Sequence, residues 1–311
     1  MKRNTHSDIP RRKAGPEIAR VSRKLLSIIQ DDGIGEVWEI TKPIIRRWIG
    51  ERPARLFAKH KKDFQNKRGL EIGGPSLIFA DGAFLPVYPV ASSIDNCNIA
   101  PQGVPATKVP PGVQIICDGT QLAAFKDENY DFVLSSHTLE HMADPIKALY
   151  EWKRVLKEGG ILLLCLPHKE GTFDHRRPTT DFEHLKEDFA NRIGEGDSTH
   201  VKEFVKLADM TRVPSEETRA NFVEKSARNP ESRYIHHHVF VTETAVRMVD
   251  FVGLRVVDIA TRRSWDLIVL CRKTSESEEY IHRDNFSLLA QNARWRRRSC
   301  FKTDRMAFSE P

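Results

Sequence analysis

No apolar run in this 311-residue chain approaches the length of a membrane span, so no transmembrane helix is expected. The basic start, MKRNTHSDIPRRK, has no apolar h-region behind it, which speaks against a secretory leader. Cysteine is scarce: Cys97, Cys117, Cys165, Cys271 and Cys300 are an odd five, none at metal-ligand spacing. Cys117, Cys165 and Cys271 lie in apolar, strand-like runs and read as buried thiols, so a reducing, cytoplasmic compartment is expected. There is no H-E-x-x-H and no cysteine pair. No metal is therefore expected, the alternative being a mixed site built from Asp174, His175 and His237. No internal repeat is present. The net charge of +6 is small for this length and collects at the ends, in RRK from Arg11 and RWRRR from Arg294 to Arg298. A uniformly basic face for nucleic acid does not follow from it.

The 40% hydrophobic content supports a real core. Ile18, Val21, Leu25 and Ile28 recur at helical spacing behind Pro16, and a second apolar set from Val37 to Trp48 is interrupted by Pro43. Residues 1–66 thus read as a basic arm and a helical cap. From residue 69 the texture changes. LEIG (70–73), ASSID (91–95), VQIIC (113–117), DFVLSS (131–136) and ILLLCLP (161–167) read as strands, apolar enough for a parallel sheet covered on both faces. Asp144 and Pro145 open a helix, with Gly159 as its expected stop. Residues 168–236 are polar and break the rhythm. A helix from Thr242 to Gly253 follows, and then LRVVDIA and WDLIVLCRK give two strands, an expected antiparallel finish. The charged tail after Thr274 reads as loosely held.

The chemistry centres on RGLEIGGPS. Glu71, Gly73 and Gly74 follow the first strand, and Asp95 comes a little over twenty residues later, at the end of the second. Glycines let a backbone meet a ligand, and an acid on the second strand can take ribose hydroxyls. A dinucleotide would need the glycines to open directly into a helix facing a pyrophosphate. Pro75, Gly82, Pro86 and Pro89 disfavour such a helix. S-adenosylmethionine (SAM) carries no phosphate and does not require one.

The order LEIGG, SIDN, CDGTQLAAFKDENYDFVLSSHTLEHMADP and RVLKEGGILLLCLP resembles the class I SAM-dependent methyltransferases, in particular the branch found with polysaccharide and glycan biosynthesis. The likeness covers residues 68 to 170 and the closing strands after 241. It implies a Rossmann-like, doubly wound, mostly parallel seven-stranded α/β sheet with helices on both faces. Through it, SAM would be held by Glu71, Gly73, Gly74, Asp95, Asn96, Asp118, Gly119, Ser135 and His137. Asp95 would bind the ribose, Asp118 the adenine amine, and Glu71 would support the methionine end. GGPS departs from the family pattern in lacking a third glycine.

Ligands of open α/β sheets lie beyond the carboxyl ends of the strands. His168 follows the fifth strand and is the expected general base for an acceptor hydroxyl. His141 reads as a packing or capping residue. In the segment 169–239, Asp174, His175, Arg176, Arg177, Glu183, His184 and His237 suggest an acceptor pocket. His175, Arg176, Arg177 and His237 are its expected contacts, with the arginines placed for an acidic acceptor. Residues 67–272 would then form the methyltransferase domain and 273–311 a basic tail. The expected function is methyl transfer to a small-molecule or sugar acceptor, at oxygen. The alternatives are an RNA methyltransferase, suggested by RWRRR and Trp295, and a SAM-binding regulatory or scaffold protein without catalysis.

Overall fold

A computed structural model describes residues 54–101, 108–213, 217–262, 265–275, 277–290 and 292–306. The chain divides into two compact units, Met1–Arg52 and Pro53–Pro311, and every described residue belongs to the second. Most of the helical cap expected over residues 1–66 therefore lies outside the described residues. The part that is described, a helix at Arg55–His60 and the turn behind it, buries Leu56, Phe57 and Phe64 in the core.

The seven strands are β1 (Arg68–Ile72), β2 (Ser93–Asn98), β3 (Gln114–Ile116), β4 (Tyr130–Ser136), β5 (Leu156–Pro167), β6 (Arg255–Arg262) and β7 (Asp266–Arg272). They form one sheet in the order β3-β2-β1-β4-β5-β7-β6. The pairs among β1 to β5 are parallel, and β7 runs antiparallel to both β5 and β6. This is the doubly wound α/β architecture that the apolar runs imply. Alternation along β5 fills both faces: Leu162, Leu164 and Leu166 enter one core with Leu149, Trp152 and Val246, while Ile161, Leu163 and Cys165 enter the other with Phe64, Phe79 and Phe132.

Two boundaries differ from the sequence pattern. The helix opened by Asp144, whose carboxylate accepts the Lys147 N–H at 2.8 Å, ends at Val155 rather than at Gly159. Its last carbonyls are taken by other partners: the Glu128 and Asn129 N–H groups donate to Arg154 and Val155. That caps the helix one turn early and frees Leu156 to begin β5. The described part of the tail after Thr274, up to residue 306, is packed, not loose. Helices at Glu278–Leu289, Arg294–Arg298 and Lys302–Arg305 close against the sheet. Trp295 is buried and donates its indole N–H to Leu288 O at 2.6 Å, and Arg296 donates to Asp304 O at 2.9 Å.

The cysteines also depart in part from the expected free thiols. Cys165 and Cys271 are buried and free, whereas Cys97 and Cys117 are paired across the β2–β3 edge, with Cα atoms 5.8 Å apart. Among the described residues, no helix is long and apolar enough to cross a membrane.

The polar segment between β5 and the helix Thr242–Phe251 has a small core of its own. Phe204 and Phe222 stack at 4.9 Å, with Ala208 and Ile235 beside them. The segment returns to the sheet where Phe240 bridges His168.

Candidate active site

The carboxyl ends of β1, β4 and β5 meet around Gly73. That residue has φ +79°, and a Cβ there would run into Thr138. Thr138 is fixed in turn by donating from Oγ1 to Ile72 O at 3.2 Å. Gly74 is equally crowded, by the side chain of Glu71, and precedes a cis proline. Glu71 is fully buried, with one carboxylate oxygen accepting the Ser76 N–H at 2.9 Å and the other the Tyr88 hydroxyl at 2.8 Å. Burial pushes its carboxyl up to about 7. Glu71 therefore shapes the Gly73–Ser76 loop from below, with both oxygens already engaged.

The expected ribose acid is misplaced. Asp95 pairs in register with Leu70, and Ile72 at the carboxyl end of β1 pairs with Cys97. Asp95 thus lies mid-strand, before the carboxyl end of β2 at Asn98. There it accepts from Arg68 at 2.7 Å, Tyr130 at 2.8 Å and the Val113 N–H at 3.0 Å. Burial opposes its ionisation, but these three donors hold its carboxyl below the usual range. Asp95 is a structural anion held within the strand, short of its carboxyl end. Asn96 is buried beside it, its amide 3.5 Å from Ile94 O. The residue at the carboxyl end of β2 is Asn98, which donates to Gly74 O at 2.8 Å. The missed signal is strand length: β2 runs on through NCN after the acid.

Asp118 does lie beyond the carboxyl end of β3. It accepts the Thr120 N–H at 2.8 Å and Arg233 at 2.8 Å, and these donors outweigh the opposing effect of burial to lower its carboxyl. Arg233 is shared with Glu195. Gly119 is packed under Met142 and Ile72 and accepts the Trp152 indole N–H at 2.9 Å. Ser135, opposite Ile72, is buried with no partner for its hydroxyl.

At the mouth of β4 the side chains become chemically competent. His137 has φ +50°, a left-handed conformation unusual for a side chain of this size. Its Nε2 lies 2.6 Å from Asp266 Oδ1, and Arg262 holds the other Asp266 oxygen at 3.1 Å. Asp266 is buried while the His137 side chain is 36% exposed. Glu140 is fully buried, its carboxylate unpartnered, with one oxygen 3.8 Å from His137 Nδ1 and 3.8 Å from His141 Nε2. Burial disfavours a charged His137, yet the Asp266 hydrogen bond and the two carboxylates outweigh it and raise its pKa. His141 packs edge-on to His236 and holds Ile235 O at 2.9 Å, a structural role.

Residues 80–164 match the sequence family described as a methyltransferase domain. Over those residues the chain is similar to a methyltransferase domain. SAM is the cofactor of that domain. A ubiquinone biosynthesis O-methyltransferase from Parvibaculum lavamentivorans is 28% identical over 122 residues, which is 38% of this chain and 48% of that protein. An uncharacterized protein from Methanocaldococcus jannaschii is 31% identical over 108 residues, 33% of this chain and 46% of its own. The chain thus spans about half the length of the curated relatives it matches. Among solved structures, a SAM-dependent methyltransferase from Methanosarcina mazei aligns with 68% of this chain and 94% of its own at 17% identity, with a TM-score of 0.40.

The strand ends of the methyltransferase domain fit SAM. The left-handed Gly73 opens the backbone at the end of β1. Ser135 and Glu140 leave buried polar atoms without internal partners there, and Asp118 lies at the end of β3.

On the acceptor side the domain differs from the expected set. His168 is 0% exposed, stacked on Phe301 at 3.7 Å between ring centres. Its Nδ1 accepts the Glu170 N–H at 3.2 Å, and its Nε2 faces Thr303 at 3.4 Å and Asp304 at 3.6 Å. A ring closed in by the C-terminal helices has no free lone pair for an acceptor, so His168 is a packing residue in this arrangement. Arg177 is also consumed: it donates to Glu203, Asp174, His236 O and His237 O while fully buried. It ties the insertion together and cannot clamp an anion. His237 is buried against Asn229 at 3.0 Å. His175 and Arg176 share Asp209 at 2.8 and 3.1 Å, at the surface. The four expected acceptor contacts therefore do not converge. Neither do Asp174, His175 and His237, the metal set considered from sequence: Asp174 pairs with Arg177 and His236, and the other two have the partners just named.

Proposed function

We propose that the protein is a SAM-dependent methyltransferase acting on a hydroxyl of a small-molecule or sugar acceptor, with His137 as general base and Asp266 as its positioning residue. The observation that carries this is the His137–Asp266 pair at the mouth of β4. An ionised Asp266 can only accept, so it fixes the His137 proton on Nε2 and leaves the Nδ1 lone pair for the acceptor. SAM, when bound, would supply an electrophilic methyl group, and His137 Nδ1 would take the proton of the acceptor hydroxyl that receives it. The resulting imidazolium sits between Asp266 and Glu140, whose charges oppose its own. Glu71 and Asn98 brace the Gly73–Ser76 loop, and Asp118 stands on the adenine side. The Parvibaculum relative is an O-methyltransferase, which agrees with transfer to oxygen.

The RNA alternative loses its main support, because Trp295 and Arg296 of RWRRR are buried and the indole offers no stacking face. Incubating the purified full chain with methyl-labelled SAM and fractionated cell extract tests the proposal. Label in a small-molecule or glycan fraction supports it. Label in RNA, or binding of SAM without transfer to any fraction, contradicts it.

A further inference from the structure

Away from the strand ends, the inserted segment brings three imidazoles and one carboxylate to a single point. His184 and Asp188 lie one turn apart on the helix Phe182–Ala190, His200 immediately precedes the helix Val201–Leu207, and His238 lies on the chain returning to the sheet. One potential ligand atom from each lies within 4.8 Å of all the others. His184 Nε2 is 3.2 Å from His200 Nε2 and 3.3 Å from Asp188 Oδ2, and His238 Nε2 is 3.8 Å from Asp188 Oδ2. Two ring nitrogens facing each other can share only one proton between them, so neither pair member is a doubly protonated imidazolium pointing at the other. His238 is anchored on Ala143 O at 3.1 Å, while its Nδ1 is buried with no partner.

We propose that His184, Asp188, His200 and His238 bind one divalent cation of the zinc type. Three imidazoles, one carboxylate and no thiolate suit a borderline ion, not magnesium or calcium with their preference for oxygen. Four protein ligands close a tetrahedral shell, which assigns the ion a structural role. It would join three separate stretches of the insertion beside Ala143. The Ala143 N–H is itself held by Glu195 at 3.2 Å, and Glu195 shares Arg233 with Asp118. The ion would thus fasten the insertion on the Asp118 side of the cofactor site. A second grouping, Glu140, His141 and His236, also lies within 4.8 Å. It belongs to the mouth of β4, beside His137, and so to the candidate active site.

The full chain, stripped with EDTA, is titrated with cobalt(II) and read by its visible d–d bands, then competed with zinc. The expected result is one equivalent per chain, an intense four-coordinate spectrum, displacement by zinc and a higher melting temperature with either metal. His184→Ala and His200→Ala should each weaken binding by more than the about 10–100-fold that loss of an outer-shell partner causes. His184 is 39% exposed, so its replacement leaves the core intact, and Asp188→Asn tests the carboxylate at constant shape. No stoichiometric binding, binding unchanged in all three variants, or loss only on His141→Ala would each overturn the site.

Discussion

His137 and His168 are both histidines at the ends of neighbouring strands, yet their surroundings give them opposite roles. His137 keeps a partly exposed ring on a buried carboxylate, whereas His168 is sealed beneath Phe301. A raised pKa means that His137 becomes a neutral base only as pH climbs above the ordinary imidazole value of 6.5. Methyl transfer should therefore rise with pH to a midpoint above that value. Asp266→Asn removes the main support of the imidazolium and should move the midpoint down while lowering the plateau rate. A pH–rate profile of the two proteins checks both shifts. The same residue-level logic separates Asp95 from Asn98. Asp95→Ala strands Arg68 and Tyr130 and should cost about 1–3 kcal/mol in urea unfolding, with SAM affinity nearly unchanged by calorimetry. Asn98→Ala loosens the Gly74 backbone and should weaken SAM binding instead. The residue types at this site were legible in the sequence, but their facing was not. An acid three residues before the end of β2 reads like an acid at its end until the register is fixed.

At the scale of elements, all seven strands could be read from short apolar runs, because a sheet buried on both faces needs them. Asp144 and Pro145 marked their helix start correctly. The helix end was not legible, since it depends on Glu128 and Asn129 arriving from another loop to take its carbonyls. The insertion was recognisable as a polar interruption but not as a packed unit. Its core comes from widely spaced aromatics, Phe173, Phe204 and Phe222, and from the buried Arg177 network. Arg177→Ala would leave Asp174 and Glu203 facing each other across the lost cation. It should destabilise the protein by about 3–5 kcal/mol, the usual cost of breaking a buried pair from one side. Equilibrium denaturation of the variant measures that. A loss under about 1 kcal/mol would show that Arg177 is not what holds the insertion.

For the molecule as a whole, sheet, insertion and C-terminal helices converge on the carboxyl ends of β1, β4 and β5. The C-terminal helices cover His168 through Phe301, and Asp304 receives the Thr242 hydroxyl at 2.9 Å. None of this closure was visible in a charged tail whose buried residues are dispersed singly among arginines. Of the two histidines that follow β4 and β5, His137 is the one whose ring stays partly exposed. The most direct test is the initial rate of methyl-label transfer by His137→Ala relative to the unaltered protein, at saturating SAM and with the labelled extract fraction as acceptor. The account predicts a fall of about a hundredfold or more with SAM affinity preserved. A variant that retains most of the rate would contradict it.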